Sequence, residues 1–273
     1  MAMEQEGARS RLRGGRGLVP NTTRGHRDLL VHLRGGFRLQ VDGVVAELPP
    51  VPQRMIALLA LRGPMSRSRL AGNLWPDTPE QRALGSLRTS IWRTNQVADQ
   101  LVVCRGGIVE LGARTVVDTR SFIDEAVEIM KSPSAPLDAS GLWVGDLIGE
   151  RELLPDWDDD WLVAERERFR QLLLHVLETV ASRLCVAGEY GLAIEAALAA
   201  LRIDLLRESA HRAVIRVHLA EGNVVEATRA LAFCRSTLRH EAGVDVAPET
   251  LDLMSADDRS SLVLAAPAPV TPT

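Results

Sequence analysis

Five side chains at helical spacing, Arg82, Ser86, Arg88, Thr89 and Arg93, and a sixth, Arg105, beside a Gly-Gly pair, are the residues best placed for chemistry. Guanidinium and hydroxyl groups on a helix can donate to phosphate oxygens or to base edges in a major groove. An arginine on a neighbouring hairpin can follow phosphate or enter the minor groove. At about 100° per residue, Arg82, Ser86, Thr89 and Arg93 cluster on one side of a helix, opposite Leu84, Leu87 and Ile91. Arg88 falls at the flank of the apolar side, where it could bind phosphate or form an intramolecular ion pair. Each residue taken alone also fits a solvated surface position, and a face angle does not separate base contacts from phosphate contacts. Together with the hairpin, the set favours duplex DNA. Trp75 and Trp92 fit core or groove-edge packing better than base stacking, because neither lies in a basic strand interleaved with aromatics.

Catalytic patterns are missing where they would be expected. Lys131, the sole lysine, is followed by Ser132 but lacks the glycine-rich approach of a phosphate loop. His211 and His218 can share a helix, yet no acidic third ligand accompanies them and no His-Glu-x-x-His occurs. The run Asp156, Asp158, Asp159, Asp160 lacks the spaced oxygens and turn glycine of a calcium loop and reads as a solvated helix start. Cys185 and Cys234 sit in apolar helical patterns, as small buried hydrophobes do. No serine has a nucleophile-elbow context. The expectation is a protein that is not an enzyme, with no cofactor and no metal.

The elements that must position the six residues follow from periodicity. Val31, Leu33, Phe37, Leu39 and Val41 alternate as one strand with a bulge or bend at Gly35-Gly36; Asp42-Gly43 turns into a short return strand over Val44 to Leu48. From Pro52, Met55, Ile56, Leu58, Leu59 and Leu61 form a helical face stopped by Gly63-Pro64. Ser66 can cap a second helix carrying Leu70, Leu74 and Trp75. For the third helix, Thr78 is the expected N-cap, with Pro79 at the first position and Gln81 closing a capping box. Leu101 to Cys104 and Ile108 to Leu111 then flank Arg105-Gly106-Gly107 as a hairpin, and Val116-Val117 supplies one more short strand. Three helices followed by a hairpin make a winged helix.

Charge divides the chain. Residues 1 to 115 hold 17 arginines against 9 carboxylates, a net of +8, while residues 116 to 273 hold 15 basic against 27 acidic residues, a net of −12. A basic module suits nucleic acid and an acidic one suits protein, although two ordinary solvated surfaces would divide the charge in the same way. In the acidic part, a helix capped by Asp118 or Thr119 precedes a loop over 132 to 141. A long amphipathic helix follows from Asp158 to Ala187, and then further helices to about Arg239. Gly188 and Gly222, like Ala193 and Ala227, are 34 residues apart, the period of a tetratricopeptide-like helix pair. The fold class expected is thus an α+β winged helix followed by an all-α tetratricopeptide-like helical domain. Its expected boundaries are a flexible basic arm at 1 to 29, the winged helix at 30 to 118, the helical domain at 119 to 254 and a flexible tail at 255 to 273. The composition leads to two modest cores rather than one. No apolar stretch of signal-peptide length and no run of about 18 apolar residues occurs, so the expectation is a cytoplasmic, nucleoid-associated protein with no membrane contact.

The order of these motifs resembles the Streptomyces antibiotic regulatory protein family, which joins an OmpR-type winged helix to a bacterial transcriptional activation domain. The resemblance covers about Leu30 to Leu253 and rests on an ordered set of motifs. In the first module these are Leu58-Leu59-Ala60-Leu61-Arg62-Gly63, the stretch from Leu70 to Pro76, Leu87-Arg88, the Arg105-Gly106-Gly107 wing and Val117-Asp118. In the second they are Glu150 to Pro155, Trp157 and Trp161, Ala164 to Arg168, Ala187 to Tyr190 and Gly243-Val244. It implies an activator that binds direct repeats in promoter DNA, with a second copy of itself beside it, and engages RNA polymerase at secondary-metabolite genes. The recognition helix would be the one holding Arg82 to Arg93. Ser86 stands where similar proteins often carry Asn, Thr94-Asn95-Gln96 replaces a more basic helix ending, and Leu205 replaces a common Pro. The larger relatives append a nucleotide-binding domain; for this sequence the resemblance implies the short form of the family. A repressor or DNA-bound adaptor, and a scaffold that no longer binds DNA, are the alternatives.

Overall fold

The computed structural model describes residues 28–131, 145 and 152–254. Residues 1 to 27 of the expected basic arm, the loop over 132 to 141, Glu150-Arg151 and the tail from 255 lie outside the described residues.

Strands β1 (Leu29–His32), β2 (Arg38–Val41) and β3 (Val44–Ala46) form an antiparallel meander, with Val31 opposite Leu39 and Gln40 opposite Val45. The continuous strand expected over residues 31 to 41 is therefore two strands. Gly35 and Gly36, at φ +75° and +120°, reverse the chain instead of bulging it, so the alternation on either side belongs to two partners. The chain then runs through α1 (Pro50–Arg62), β4 (Met65–Ser66), α2 (Arg67–Leu74) and α3 (Glu80–Val97) to the hairpin β5 (Val102–Arg105) and β6 (Ile108–Leu111). β4 pairs with β6, making a three-stranded sheet that ties the start of α2 to the wing. β7 (Thr115–Val117) leaves the wing and pairs in parallel with β1, closing the first sheet in the order β3-β2-β1-β7.

The helical part comprises α4 (Asp118–Lys131), α5 (Asp160–Val186), α6 (Tyr190–Ile203), α7 (Glu208–Glu221) and α8 (Val224–Thr237), then a π-helical turn (Leu238–Ala242) and a short α9 (Pro248–Leu251). The 34-residue offset is written into the backbone. Gly188 donates to Cys185 O and Glu189 to Leu184 O, while Gly222 donates to Leu219 O and Asn223 to His218 O. Both are Schellman endings, and both glycines hold the positive φ that such an ending requires, +81° and +86°. Ala193 and Ala227, five residues beyond each glycine, are fully buried where neighbouring helices approach.

One buried cluster crosses the expected boundary between the modules, running from Leu29 and Leu58 through Phe122 and Leu153 to Phe169, Leu184 and Val217. The expectation of two separate cores is corrected. Two devices unite them. Leu153 bridges to Arg34, with Leu154 N–H donating to Leu33 O at 2.9 Å, so the segment before α5 extends the register of β1. Arginines also cross the seam: Arg54 pairs with Asp159 at 3.0 Å, and Arg62 reaches Glu165 at 2.7 Å and the Trp161 carbonyl at 2.9 Å. Asp118 does not serve as a simple helix cap. Its carboxylate accepts from the N–H groups of Leu33 and Arg34 at 3.0 to 3.1 Å, fixing the end of β1 to the start of α4. Thr119 is buried and its hydroxyl makes no cap.

Candidate nucleic-acid interface

Helix α3 starts differently from the expected capping box. Pro79, in extended geometry, is the N-cap, no side chain caps the helix, and Arg82 and Ala83 donate to the Pro79 carbonyl at 2.9 and 3.1 Å. A proline N-cap needs no N–H partner of its own, which leaves Thr78 and Gln81 without that role. Ser66, by contrast, does cap α2, accepting from Arg69 N–H at 3.3 Å.

Ala83, Leu87, Ser90 and Thr94 are the buried positions of α3, with Leu84 and Ile91 half-buried against the core. The Ser90 and Thr94 hydroxyls donate back to the carbonyls of Ser86 and Ser90 at 2.9 Å, which lets two polar residues enter the core satisfied. On the other side Arg82, Ser86, Arg88, Thr89 and Arg93 are all exposed. Thr89 donates to Gly85 O at 3.3 Å, which leaves its hydroxyl oxygen free to accept. The side chains of Arg82, Arg88 and Arg93 make no hydrogen bond or ion pair with any described residue, so the intramolecular ion pair open to Arg88 is not formed among them. Trp92 is 61% exposed between Arg88 and Arg93 and belongs to this outward surface rather than to the core, whereas Trp75 is half-buried against the core.

Arg105 is exposed at the end of β5, with Gly106 and Gly107 forming the two-residue tip at φ +56° and +85°. Positive φ at both central positions is the requirement of a type I′ hairpin turn. The wing is held to α3 by a side chain whose importance the sequence disguised. Asn95 Nδ2 donates to Val102 O at 2.8 Å, and Val102 N–H donates to Asn95 Oδ1 at 3.0 Å, so one amide replaces a missing strand partner at the root of the wing. The ending that looked like a lost basic patch is thus structural: Thr94 is core and Asn95 is the wing anchor. The signal available in the sequence was Asn95 lying seven residues before the first strand of the hairpin.

The remaining titratable candidates are placed in the helical part. His211, 2% exposed, lies on α7 with Nε2 at 2.9 Å from Leu205 O and its ring 5.8 Å from Phe233. Burial holds its pKa below the ordinary value, against the pull of the Leu205 carbonyl and Glu208. Burial also pushes the Cys234 thiol up to about 11 and raises that of Cys185. Among the described residues no group of His, Cys, Asp and Glu is arranged to hold a metal ion, and no helix is long and apolar enough to cross a membrane.

Residues 128–256 match the family described as bacterial transcriptional activator domain. A winged helix followed by this domain is an architecture like that of the Streptomyces antibiotic regulatory proteins. An N-terminal winged helix precedes the activator domain, whose helical repeat begins at α5. Among solved structures, Mycobacterium tuberculosis EmbR in complex with low affinity phosphopeptide is similar, with a TM-score of 0.70 and 16% identity over 88% of this chain and 69% of that one. At that identity the likeness is one of fold. No curated protein matches the sequence significantly.

Proposed function

We propose that this winged-helix and activator-domain protein binds duplex DNA in a sequence-dependent way and activates transcription. α3 enters the major groove and the Arg105 wing lies beside it. The observation that carries this reading is the outward face of α3, where three arginines without internal partners flank Ser86, Thr89 and Trp92 on a helix whose opposite face is packed. Unpaired guanidinium groups are free to displace the counterions of a phosphate backbone, and those nearest the groove floor can read guanine edges. Two copies on repeated half-sites gain affinity through effective concentration, and the acidic helical module offers its surface to RNA polymerase. No bond is made or broken by the protein itself.

Selection of duplexes from a random pool, followed by mobility shift on the enriched fragment, tests the reading. The parent chain is expected to enrich a repeated motif, and the R82A/R93A double variant to bind that fragment at least about 10-fold more weakly, since each well-formed base contact contributes roughly 1–3 kcal/mol. Equal affinity in the double variant overturns the assignment of α3. Transcription from a promoter carrying the motif, with purified polymerase, is expected to rise on adding the protein; a fall identifies a repressor.

A further inference from the structure

A cleft of about 420 Å³ opens on the seam between the two modules, where α1 ends at Gly63-Pro64 against α4 and α5. Its charged lining is unbalanced. Arg62, Arg120 and Arg168 line it with a single carboxylate, Glu165, which Arg62 already holds at 2.7 Å. Arg120 donates to the carbonyls of Leu59 and Ala60 at 2.9 Å, which uses two of its five N–H groups and leaves its charge uncancelled. Arg168 makes no hydrogen bond or ion pair with any described residue. The rest of the lining is apolar, chiefly Leu61, Ile123, Phe169 and Leu172. Thr119 also lines the cleft; it is 1% exposed and its hydroxyl has no partner, an unusual state for a buried polar group.

A concave, mostly apolar site with a few convergent polar groups is the general form of a small-molecule pocket, and the volume falls within the usual range of about 300–1,000 Å³. The geometry points to a binding site for a small amphipathic carboxylate in this seam, its anionic head at Arg168 and Arg120 and its apolar body against Phe169 and Leu172. Arginine suits the head because a guanidinium presents two parallel donors to a carboxylate. Since the cleft has one wall from the winged helix and two from the helical module, an occupant stabilises the docked arrangement of both. The site is independent of the DNA-binding reading.

Calorimetric titration of the full chain with octanoate and with octylammonium tests it in the absence of DNA. Octanoate is expected to bind at one site per chain and raise Tm, and octylammonium to do neither. R168Q, which removes an exposed and unpaired charge, is expected to unfold at the parent temperature and bind octanoate about 10-fold more weakly, the loss of one charge-assisted contact. A diazirine-bearing fatty acid is expected to label the peptides containing Thr119 to Ile123 and Glu165 to Leu172. No octanoate binding, equal binding of octylammonium, unchanged affinity in R168Q or labelling confined to other peptides overturns the proposal.

Discussion

On α3, the side chains of Arg82, Arg88 and Arg93 stand in solvent with no hydrogen bond or ion pair to any described residue, whereas Arg166 and Arg170 on α5 and Arg207 at the start of α7 are spent on the fold. Arg166 donates to the carbonyls of Leu153, Leu154 and Trp157. Arg170 bridges Glu167 and Asp204, and Arg207 gathers Glu178 and Gln171. Apart from Arg168 and Arg235, the described arginines of the helical part each have an interaction partner. One side-chain type therefore does two jobs. Where carboxylates and bent backbone are plentiful, arginine closes the structure; where the nearby surface is Ser, Thr and Trp, it is left available to something else. Hydrogen-bonding strength alone does not distinguish them, since an exposed pair contributes at most about 1 kcal/mol.

The comparison can be broken by removing members of each set. The largest loss is expected for R166A, which strips a donor from three carbonyls beside the core, two of them on the buried residues Leu153 and Leu154; about 3 kcal/mol should disappear in urea unfolding. R88A should change the same measurement by less than about 0.5 kcal/mol, as for a surface substitution. Equal losses in the two variants would erase the distinction. D118N should cost about 2 kcal/mol, because the N–H groups of Leu33 and Arg34 keep an acceptor but lose its charge. Within α3, Gly85 has nothing within 4 Å of an added Cβ, and G85A should raise stability by about 0.5–1 kcal/mol through helix propensity. A loss in that variant would place an unseen neighbour against the helix.

The smallest effect sharpens the contrast through pH. His211 has a folded-state pKa below its unfolded value because its ring is buried, so the unfolded chain takes up the proton first. Stability from this group is complete above the ordinary histidine range and declines as pH falls through that range towards the folded value. The fall in Tm on going from pH 7.5 to 5.5 should be shallower in H211L than in the parent. Leucine is the natural replacement, since Leu177 holds the equivalent buried position 34 residues earlier in the repeat. Parallel Tm profiles would show that His211 does not carry the slope.

The sequence made legible those features that depend on local rules. Ser66 as a cap, the Gly106-Gly107 tip, the Gly188 and Gly222 endings and the amphipathic division of α3 all follow from residues a few positions apart. Features joining distant residues stayed hidden. Arg62 and Glu165 are 103 residues apart, and neither carries a mark of the other. Asp118 looked like a helix cap because a carboxylate there fits both roles, and only the fold brings the end of β1 within its reach. Asn95 looked like a lost DNA contact because the resemblance set the expectation at that position, while its true partner, Val102, lies in the next element. The α3 start failed for a local reason: two adjacent residues, Thr78 and Pro79, could each begin the helix, and the one needing no donor partner did.

Salt dependence of DNA affinity tests the central claim most directly. On the selected fragment, the slope of log affinity against log salt should be steep for the parent. In a variant with Arg82, Arg88, Arg93 and Arg105 all changed to Gln it should be shallower by about 1 for each arginine that sits on phosphate. Both proteins should unfold at nearly the same temperature, because none of the four side chains has a described partner to lose. A parent without a salt slope, or a quadruple variant with the parent's slope and affinity, would contradict the account.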